Sequence, residues 1–185
     1  MNADVFVWLI NAAWIIVVVY LIVAARGAKR DTEGHRAQSL ALMFALIAAV
    51  LLPRLEVFRF VNFAPVNAIL GSVGVLMTGA GLALFVWARQ TLGDNWSRTV
   101  SAKQGHELIT SGPYRYVRHP MYAGALIACI GSAIVAGGPF VFFLVFLASI
   151  FLWRVGVEDK LMLQQFPGEY PAYKKSTKAL IPFVW

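Results

Sequence analysis

The sequence predicts an all-α, polytopic integral membrane protein with about five transmembrane helices. Apolar residues make up 59% of the chain, whereas charged residues contribute only 14%. The mean hydropathy is +0.69, and several apolar runs approach or reach the length needed to cross a hydrocarbon core. At 185 residues the chain suits one domain, residues 1–185, with the N-terminal spans in 5–87 and a polar, site-forming part in 88–185.

Five apolar runs are the predicted spans. The first has no Lys or Arg before it and is long enough to cross the bilayer, so we expect a retained transmembrane helix and not a signal peptide. The second has only 14 residues before Pro53, so it either continues past a kink or is short and tilted. The third carries Gly71, Gly74, Thr78 and Gly81 at helical spacing, which predicts a face for close helix packing. The spans are 5–25, 39–52, 66–87, 121–136 and 140–157, the last two joined by a tight turn at 137–139.

The distribution of basic residues predicts the orientation of these spans. Lys and Arg concentrate in the loop after the first span, in the long polar segment 88–120, and from Arg154 onward. By the positive-inside rule the N-terminus lies outside and the C-terminus lies in the cytoplasm. The net charge of +7 is therefore better explained by topology and anionic lipid headgroups than by nucleic acid. The single Cys129 falls in a predicted span, where a small buried side chain is expected.

The stretch 112–124, Gly-Pro-Tyr-Arg-Tyr-Val-Arg-His-Pro-Met-Tyr-Ala-Gly, organises the polar part of the chain. It brings two arginines, a histidine and three tyrosines against the start of an apolar run. Such side chains are costly to desolvate at a membrane boundary, so their clustering predicts a functional site. The two prolines restrict the backbone and predict a shaped loop that feeds a helix. We expect Lys103 and His106 to join this polar cap, together with Glu158, Asp159 and Glu169 from the tail.

Several kinds of chemistry find no support in the sequence. One cysteine and three scattered histidines offer no metal-ligand spacing, so no metal site is predicted. There is no Gly-x-Ser-x-Gly elbow for a serine nucleophile. There is also no Gly-x-Gly-x-x-Gly motif and no P-loop for a nucleotide. What remains is a pocket of acids, bases and aromatics at the membrane face, which suits a polar cofactor held against a lipid-soluble substrate.

Spaced motifs follow one another along residues 90–182. The central motif is Gly-Pro-Tyr-x-x-x-Arg-His-Pro-x-Tyr-x-Gly, preceded by Leu-Gly-x-Asn-Trp-Ser at 92–97 and His-x-Leu at 106–108. Glu-Asp-Lys-Leu follows at 158–161, then Phe-x-x-Glu-Tyr-x-x-Tyr at 166–173 and Leu-Ile-Pro at 180–182. In this order the motifs resemble the signature of the isoprenylcysteine carboxyl methyltransferase family and of its phospholipid N-methyltransferase relatives.

The resemblance implies an integral membrane methyltransferase that uses S-adenosylmethionine. The cofactor would lie in a cytoplasmic pocket capped by the C-terminal tail, and a lipophilic small molecule or lipid-linked acceptor would enter from the bilayer. The candidate cofactor-binding residues are Lys103, His106, Leu108, Gly112, Pro113, Tyr114, His119, Pro120, Tyr122 and Glu158. The candidate catalytic residues are Glu158, Glu169 and Arg118.

The tail departs from the family pattern at one position. Tyr170-x-x-Tyr173 is followed by Ser176, where the carboxyl methyltransferases commonly have an arginine on the acceptor side of the site. A serine cannot offer a bidentate fork to a carboxylate. Lys174, Lys175 and Arg154 are the alternative cations, so the acceptor atom stays open. The oligomeric state also stays open.

Two other functions fit parts of the pattern. Membrane sterol or enone reductases share a similar helical end with a His-Pro-x-Tyr element, but they bind NADPH, whose phosphates call for more basic residues than the acids at 158–159. A non-enzymatic scaffold would use the polar segment to dock a partner and would bind no small molecule. Among individual residues, Arg115 and Tyr116 suit interfacial anchors, and three tail lysines suit anionic headgroups: Lys174, Lys175 and Lys178.

Overall fold

The computed structural model describes residues 3–26, 67–93 and 107–182. These ranges are helical apart from short connections. The helices are α1 (Ala3–Arg26), α2 (Ala68–Leu92), α3 (Pro120–Ala136), α4 (Gly138–Gln165) and α5 (Tyr170–Ser176), with a 3-10 turn at Gly112–Arg115. The all-α prediction is therefore confirmed for the part of the chain that is described.

Three of the described helices are long and apolar enough to cross a membrane: Asp4–Ala24, Ala68–Leu92 and Val141–Gln165. The helix Pro120–Ala136 is also apolar but shorter. Large apolar side chains remain exposed on these helices, among them Trp8, Leu76 and Phe146, as expected for faces that meet lipid. The chain is thus a multi-pass membrane protein. The second predicted span, 39–52, lies outside the described residues, so a count of five stays a prediction.

Two observed helices extend beyond the C-terminal ends predicted for their spans. Helix α2 continues to Leu92 and not to residue 87, because Arg89 is buried at its end and donates to the Gly93 carbonyl oxygen at 3.2 Å. Helix α4 runs to Gln165 and not to about residue 157, because both carboxylates at 158–159 are paired: Glu158 with Arg154 of the same helix, and Asp159 with Arg118 and Lys174 of other segments. At its other end α2 begins at Ala68, where the Asn67 side chain accepts from the Leu70 amide at 2.9 Å.

Glycines bring the backbones of α2 and α3 together. A Cβ on Gly131 would lie 2.6 Å from the Gly74 carbonyl oxygen, and a Cβ on Gly124 would lie 2.6 Å from the Gly81 carbonyl oxygen. These distances leave no room for any larger side chain. The predicted small-residue face of α2 is confirmed, since its four members are all buried. The connection between α3 and α4 is tighter than predicted, because α4 already begins at Gly138.

Helix α1 completes the bundle by covering α2 and part of α3. Phe6, Ile10 and Trp14 are buried along one face of α1, and the Phe6 ring lies over Gly71. The Trp14 indole donates to the Ser132 hydroxyl of α3 at 3.0 Å. Polar side chains in a membrane need such partners, because lipid offers none. This bond fixes the rotation of α1 against α3, the helix at whose start the polar stretch lies.

The C-terminal tail returns to the start of α3. Val117 and Lys178 form a parallel β-bridge. The Arg118 amide donates to the Lys178 carbonyl oxygen at 2.8 Å, and the His119 amide donates to the Ala179 carbonyl oxygen at 3.0 Å. Because Pro120 opens α3 and has no amide hydrogen, these are the last two backbone donors before the helix. The tail therefore lies directly over the segment that the sequence singled out.

Candidate active site

The polar residues of the central stretch, of the C-terminal half of α4 and of the tail meet at one end of the bundle. Four segments supply them: the 3-10 turn, the first turn of α3, α4 from Arg154 to Asp159, and the tail from Tyr170 to Thr177. The meeting point is the one that the sequence pattern predicts.

The turn that begins at Gly112 depends on glycine. Gly112 has φ of +58°, a conformation that other residues rarely adopt, and a Cβ there would lie 3.0 Å from the Thr91 hydroxyl oxygen at the end of α2. Pro113 follows and is buried, and Tyr114 is buried behind it. Burial raises the pKa of the Tyr114 hydroxyl well above its ordinary value, so this group stays protonated. The turn thus presents a neutral phenol toward the cluster.

Arg118 and Asp159 form a nearly enclosed ion pair. The guanidinium donates from Nε to Oδ1 at 3.3 Å and from Nη2 to Oδ2 at 3.1 Å, with both side chains only 9% exposed. Its Nη1 donates to the Thr177 carbonyl oxygen at 2.5 Å and to the Lys174 carbonyl oxygen at 3.3 Å. One arginine therefore ties the start of α3 to α4 and to the tail.

His119 lies between the two acidic residues of α4. Its Nδ1 is 3.3 Å from Glu158 Oε2, and its Nε2 is 3.3 Å from Asp159 Oδ1. Burial alone would lower the pKa of His119, but the hydrogen bonds and charges of Asp159 and Glu158 outweigh it, so the pKa is raised. With a carboxylate at each ring nitrogen, the imidazolium is the favoured form.

Glu158 is held by a second set of donors. Tyr122 donates to its Oε1 at 2.5 Å, and Arg154 donates to the same oxygen at 2.9 Å from Nη2. Arg154 Nε also donates to the Tyr122 hydroxyl at 2.9 Å, which closes a triangle. The Tyr122 ring stacks on Phe151 with centroids 4.4 Å apart. Glu158 keeps 18% of its side chain exposed and Arg154 keeps 29%, so neither side chain is fully enclosed.

The tail closes the cluster with two tyrosines. Tyr170 is buried and its hydroxyl donates to Asp159 Oδ1. Tyr173 donates to the Tyr114 carbonyl oxygen at 2.7 Å. Burial raises the pKa of Tyr173 to about 12 and raises that of Tyr170 further, so both act as hydrogen-bond donors at neutral pH. The Lys174 ammonium adds an ion pair to Asp159 Oδ2 at 2.9 Å.

The structure brings together most of the predicted site residues that it describes. His119 and Tyr122 both contact Glu158, and Arg118 joins them through Asp159, which also contacts His119. Gly112, Pro113 and Tyr114 form the turn beside them, and Pro120 opens α3. Leu108 is partly buried before the turn. Lys103 and His106 lie outside the described residues. Glu169 is exposed at the N-terminus of α5, and its side chain takes no part in the contacts of the cluster among the described residues. The catalytic assignments of Arg118 and Glu169 stay predictions.

Three residues are more central to the cluster than the sequence analysis indicated. Asp159 is the most heavily contacted carboxylate, and Tyr170 and Arg154 are direct partners of the two acids. The only sequence signal for Arg154 is its position four residues before Glu158, which places both on one helix face. Cys129 is buried in α3, as predicted. Within the described ranges no group of His, Cys, Asp and Glu is arranged to hold a metal ion.

The fold and the site define a class: a multi-pass helical membrane protein with a polar, charge-paired site where two spans meet a returning tail. Comparison with known proteins gives the family. The family model of the isoprenylcysteine carboxyl methyltransferases matches residues 73–164, which run from α2 to the end of α4. The chain belongs to the isoprenylcysteine carboxyl methyltransferase family.

Named relatives agree with this assignment. The chain is 30% identical over 152 residues to the protein-S-isoprenylcysteine O-methyltransferase of Saccharomyces cerevisiae, covering 80% of this chain and 62% of the relative. It is 29% identical over 192 residues to the probable protein-S-isoprenylcysteine O-methyltransferase of Oryza sativa subsp. indica, covering 96% of each. The chain thus spans less than two thirds of the yeast relative but nearly all of the rice one.

A solved structure has a similar fold. The eukaryotic intramembrane Ras methyltransferase, isoprenylcysteine carboxyl methyltransferase, superposes with a TM-score of 0.54. Sequence identity in this comparison is 23%, and the alignment covers 79% of this chain and 53% of the other. At this identity the likeness concerns the fold, namely the arrangement of membrane helices.

Proposed function

We propose that this protein is an S-adenosylmethionine-dependent membrane methyltransferase that acts on a lipophilic acceptor. The observation that carries the proposal is the Glu158 carboxylate, held by His119, Tyr122 and Arg154 at a membrane boundary yet still partly exposed. Family membership and the names of the relatives support the same activity. The substrate of those relatives, an S-isoprenylcysteine, is the first acceptor to test here.

The described residues fit the cofactor's chemistry. S-adenosylmethionine is a sulfonium cation, and its positive charge is stabilised by a carboxylate and by aromatic faces. Glu158 and the rings of Tyr114 and Tyr122 supply these groups at the same end of the bundle. When bound, the cofactor supplies an electrophilic methyl group for in-line displacement. Gly112, Pro113 and Tyr114 would shape the wall of its pocket, together with His119 and Leu108.

The residues around Glu158 act by orientation and electrostatics. Both Glu158 oxygens have polar partners. Oε1 accepts from Tyr122 and Arg154, and Oε2 is paired with Nδ1 of His119. A carboxylate fixed in this way does not reorganise when charge moves during the reaction, which is the property that makes such groups effective. Methyl transfer to a nucleophilic oxygen otherwise needs close, in-line placement and exclusion of water. Burial under the tail favours both conditions.

Arg154 is the best placed cation for an acidic acceptor. Ser176 is exposed on α5 and its hydroxyl donates to the Tyr173 carbonyl oxygen at 3.0 Å, so it does not replace an arginine. Lys174 pairs with Asp159 just as Arg154 pairs with Glu158, but its ammonium is a point charge that cannot form two parallel hydrogen bonds to a carboxylate. Arg154 lies beside Glu158, and its planar guanidinium suits a carboxylate. We therefore propose that the acceptor atom is a carboxylate oxygen oriented by Arg154.

The direct test is methyl transfer by protein reconstituted in phospholipid nanodiscs. The donor is S-adenosylmethionine carrying a tritiated methyl group, and the acceptors are N-acetyl-S-farnesylcysteine and its carboxamide. A methyl ester releases volatile methanol in alkali, so this release identifies the bond that forms. We expect base-labile label with the free acid and none with the carboxamide. Label that resists alkali would contradict a carboxylate acceptor. A complete absence of transfer to both compounds would contradict S-isoprenylcysteine as the acceptor class.

We propose further that the N-terminus lies outside and the site faces the cytoplasm. The excess of Lys and Arg in the loops after the first span and in the tail supports this orientation. Ser176→Cys places a thiol on an exposed tail position, while the native Cys129 is buried. In right-side-out vesicles a membrane-impermeant maleimide should leave the tail cysteine unlabelled until the vesicles are opened. Labelling of intact vesicles would reverse the orientation.

A further inference from the structure

A groove lies between the outer face of α4 and the tail, beside the site described above. Its volume is about 420 Å³, within the range of ligand pockets, which is about 300–1,000 Å³. Leu152, Val155 and Gly156 of α4 form one wall, and Ala179 of the tail faces them. Leu152 is 49% exposed, and nothing lies within 4 Å of a Cβ built on Gly156. The groove is therefore open toward the lipid-facing side of α4.

The chemistry of the groove changes along its length. Its α4 wall begins at the apolar Leu152 and ends at Asp159, seven residues or about 10 Å further along the helix. At the Asp159 end it is lined by Lys174 and Lys178 of the tail. This end is close to the C-terminus of the candidate span Val141–Gln165, where a helix leaves the hydrocarbon core. An apolar wall thus runs into a cationic rim at headgroup depth.

The charges of the groove do not balance. Its lining holds three cationic side chains, Arg118, Lys174 and Lys178, against one carboxylate, Asp159, a formal excess of two positive charges. Asp159 is already paired with Arg118 and Lys174. In the described part of the chain, none of the ion pairs involves the Lys178 ammonium, which is exposed at the rim. A ligand that complements the groove must be anionic at this end and apolar along α4.

We propose that this groove binds one anionic phospholipid, with its phosphate at Lys178 and Lys174 and an acyl chain along Leu152 and Gly156. Basic side chains at a membrane surface attract anionic headgroups, and an open glycine lets a chain approach the helix closely. A free phosphate would use the lysines but leave the apolar wall uncovered. A zwitterionic lipid would cover the wall but leave the positive charges unmatched.

The test is native mass spectrometry of the detergent-solubilised protein titrated with dioleoylphosphatidylglycerol or dioleoylphosphatidylcholine. No cofactor or methyl acceptor is present, so the result is independent of the proposed enzymatic function. We expect one saturable site that prefers the anionic lipid. Lys178→Gln should weaken binding of phosphatidylglycerol about fivefold, since each basic residue at a membrane surface contributes about 1 kcal/mol. Lys178→Arg should keep it, and Lys175→Gln, on the same tail but outside the groove, should not change it.

A second variant tests the apolar wall. Gly156→Leu should fill the groove and weaken binding of both lipids, whereas Gly79→Leu, at an equally open glycine on α2, should not. Thermal midpoints of all variants show whether each is folded. Equal affinity for the two lipids, or unchanged binding in both Lys178→Gln and Gly156→Leu, would overturn the proposal. Equal binding of glycerol 3-phosphate would also overturn it, because the acyl chain would then contribute nothing.

Discussion

Arg118 donates two hydrogen bonds to Asp159, one from Nε and one from Nη2, and each of the two side chains is only 9% exposed. The same guanidinium reaches two tail carbonyl oxygens. Because this ion pair is nearly buried and its guanidinium also binds the tail, it is a structural joint between α3, α4 and the tail. Its contacts favour a positioning role for Arg118 over the catalytic role that the sequence suggested.

This joint predicts that Arg118→Ala destabilises the protein by about 3 kcal/mol or more, because Asp159 would be left buried with fewer partners. Arg115 lies three residues before Arg118 but is exposed and outside this contact, so Arg115→Ala should change stability by less than about 0.5 kcal/mol. Thermal midpoints in one detergent measure the difference. Equal midpoints for the two variants would show that the ion pair does not hold the tail.

Glu158→Gln should lower turnover by about 100-fold while leaving the fold intact. The amide keeps the shape of Glu158 but removes the charge that Arg154 and His119 hold in place, and small losses of positioning cost about this much. Initial rates at saturating donor and acceptor give the value. Lys160→Gln, at an exposed position on the same helix, is the control. A Glu158→Gln enzyme with a normal rate and a shifted melting point would assign Glu158 to the scaffold alone.

Stability should depend on pH through His119. Its folded-state pKa is raised above the ordinary value of 6.5 by Asp159 and Glu158, against the opposing effect of burial. Its contribution to stability is therefore fully present below about pH 6.5 and is lost as the pH rises through the folded-state pKa. We expect the thermal midpoint to fall over that interval and His119→Gln to flatten the fall. Parallel curves for the two proteins would contradict this origin.

The glycine contacts between α2 and α3 predict a sharp contrast between two alanine substitutions. Gly131→Ala places a methyl group 2.6 Å from the Thr78 amide nitrogen, so the helices must separate, at a cost of about 1–3 kcal/mol. Gly79→Ala meets nothing within 4 Å and should stabilise α2 by about 0.5–1 kcal/mol. Unfolding of both variants under the same conditions tests this. A Gly131→Ala protein as stable as the parent would show that the helices pack less closely.

The elements that were predictable are those with local signals. Hydropathy locates α1, α2, α3 and α4, and the spacing of Gly71, Gly74, Thr78 and Gly81 identifies the packing face. The ends of α2 and α4 were misplaced because a charge ends an apolar run in the sequence, whereas in the fold Arg89 donates to the nearby Gly93 carbonyl oxygen and Asp159 has partners far along the chain. The bridge between Val117 and Lys178 is of the same kind. No local pattern specifies it.

The part of the candidate site that could be predicted is the part whose residues lie close together in the sequence or beside an apolar span. Arg118, His119 and Tyr122 share one stretch, and Glu158 follows an apolar span, so each could be identified. What the sequence could not give is which acid each base contacts. The pair between Arg154 and Glu158 is local to α4, but His119 contacts both acids and Arg118 contacts only Asp159. That partition follows from the rotation of α4 against α3, which is a property of packing.

The most direct test of the central claim is calorimetric binding of S-adenosylhomocysteine and, separately, NADPH to the detergent-purified protein. We expect saturable binding of S-adenosylhomocysteine at one site, weakened by Glu158→Ala and by His119→Ala, and no binding of NADPH. Binding of NADPH alone would contradict the methyltransferase proposal in favour of a membrane reductase. Binding of neither compound to folded protein would contradict it in favour of a scaffold without a small-molecule site.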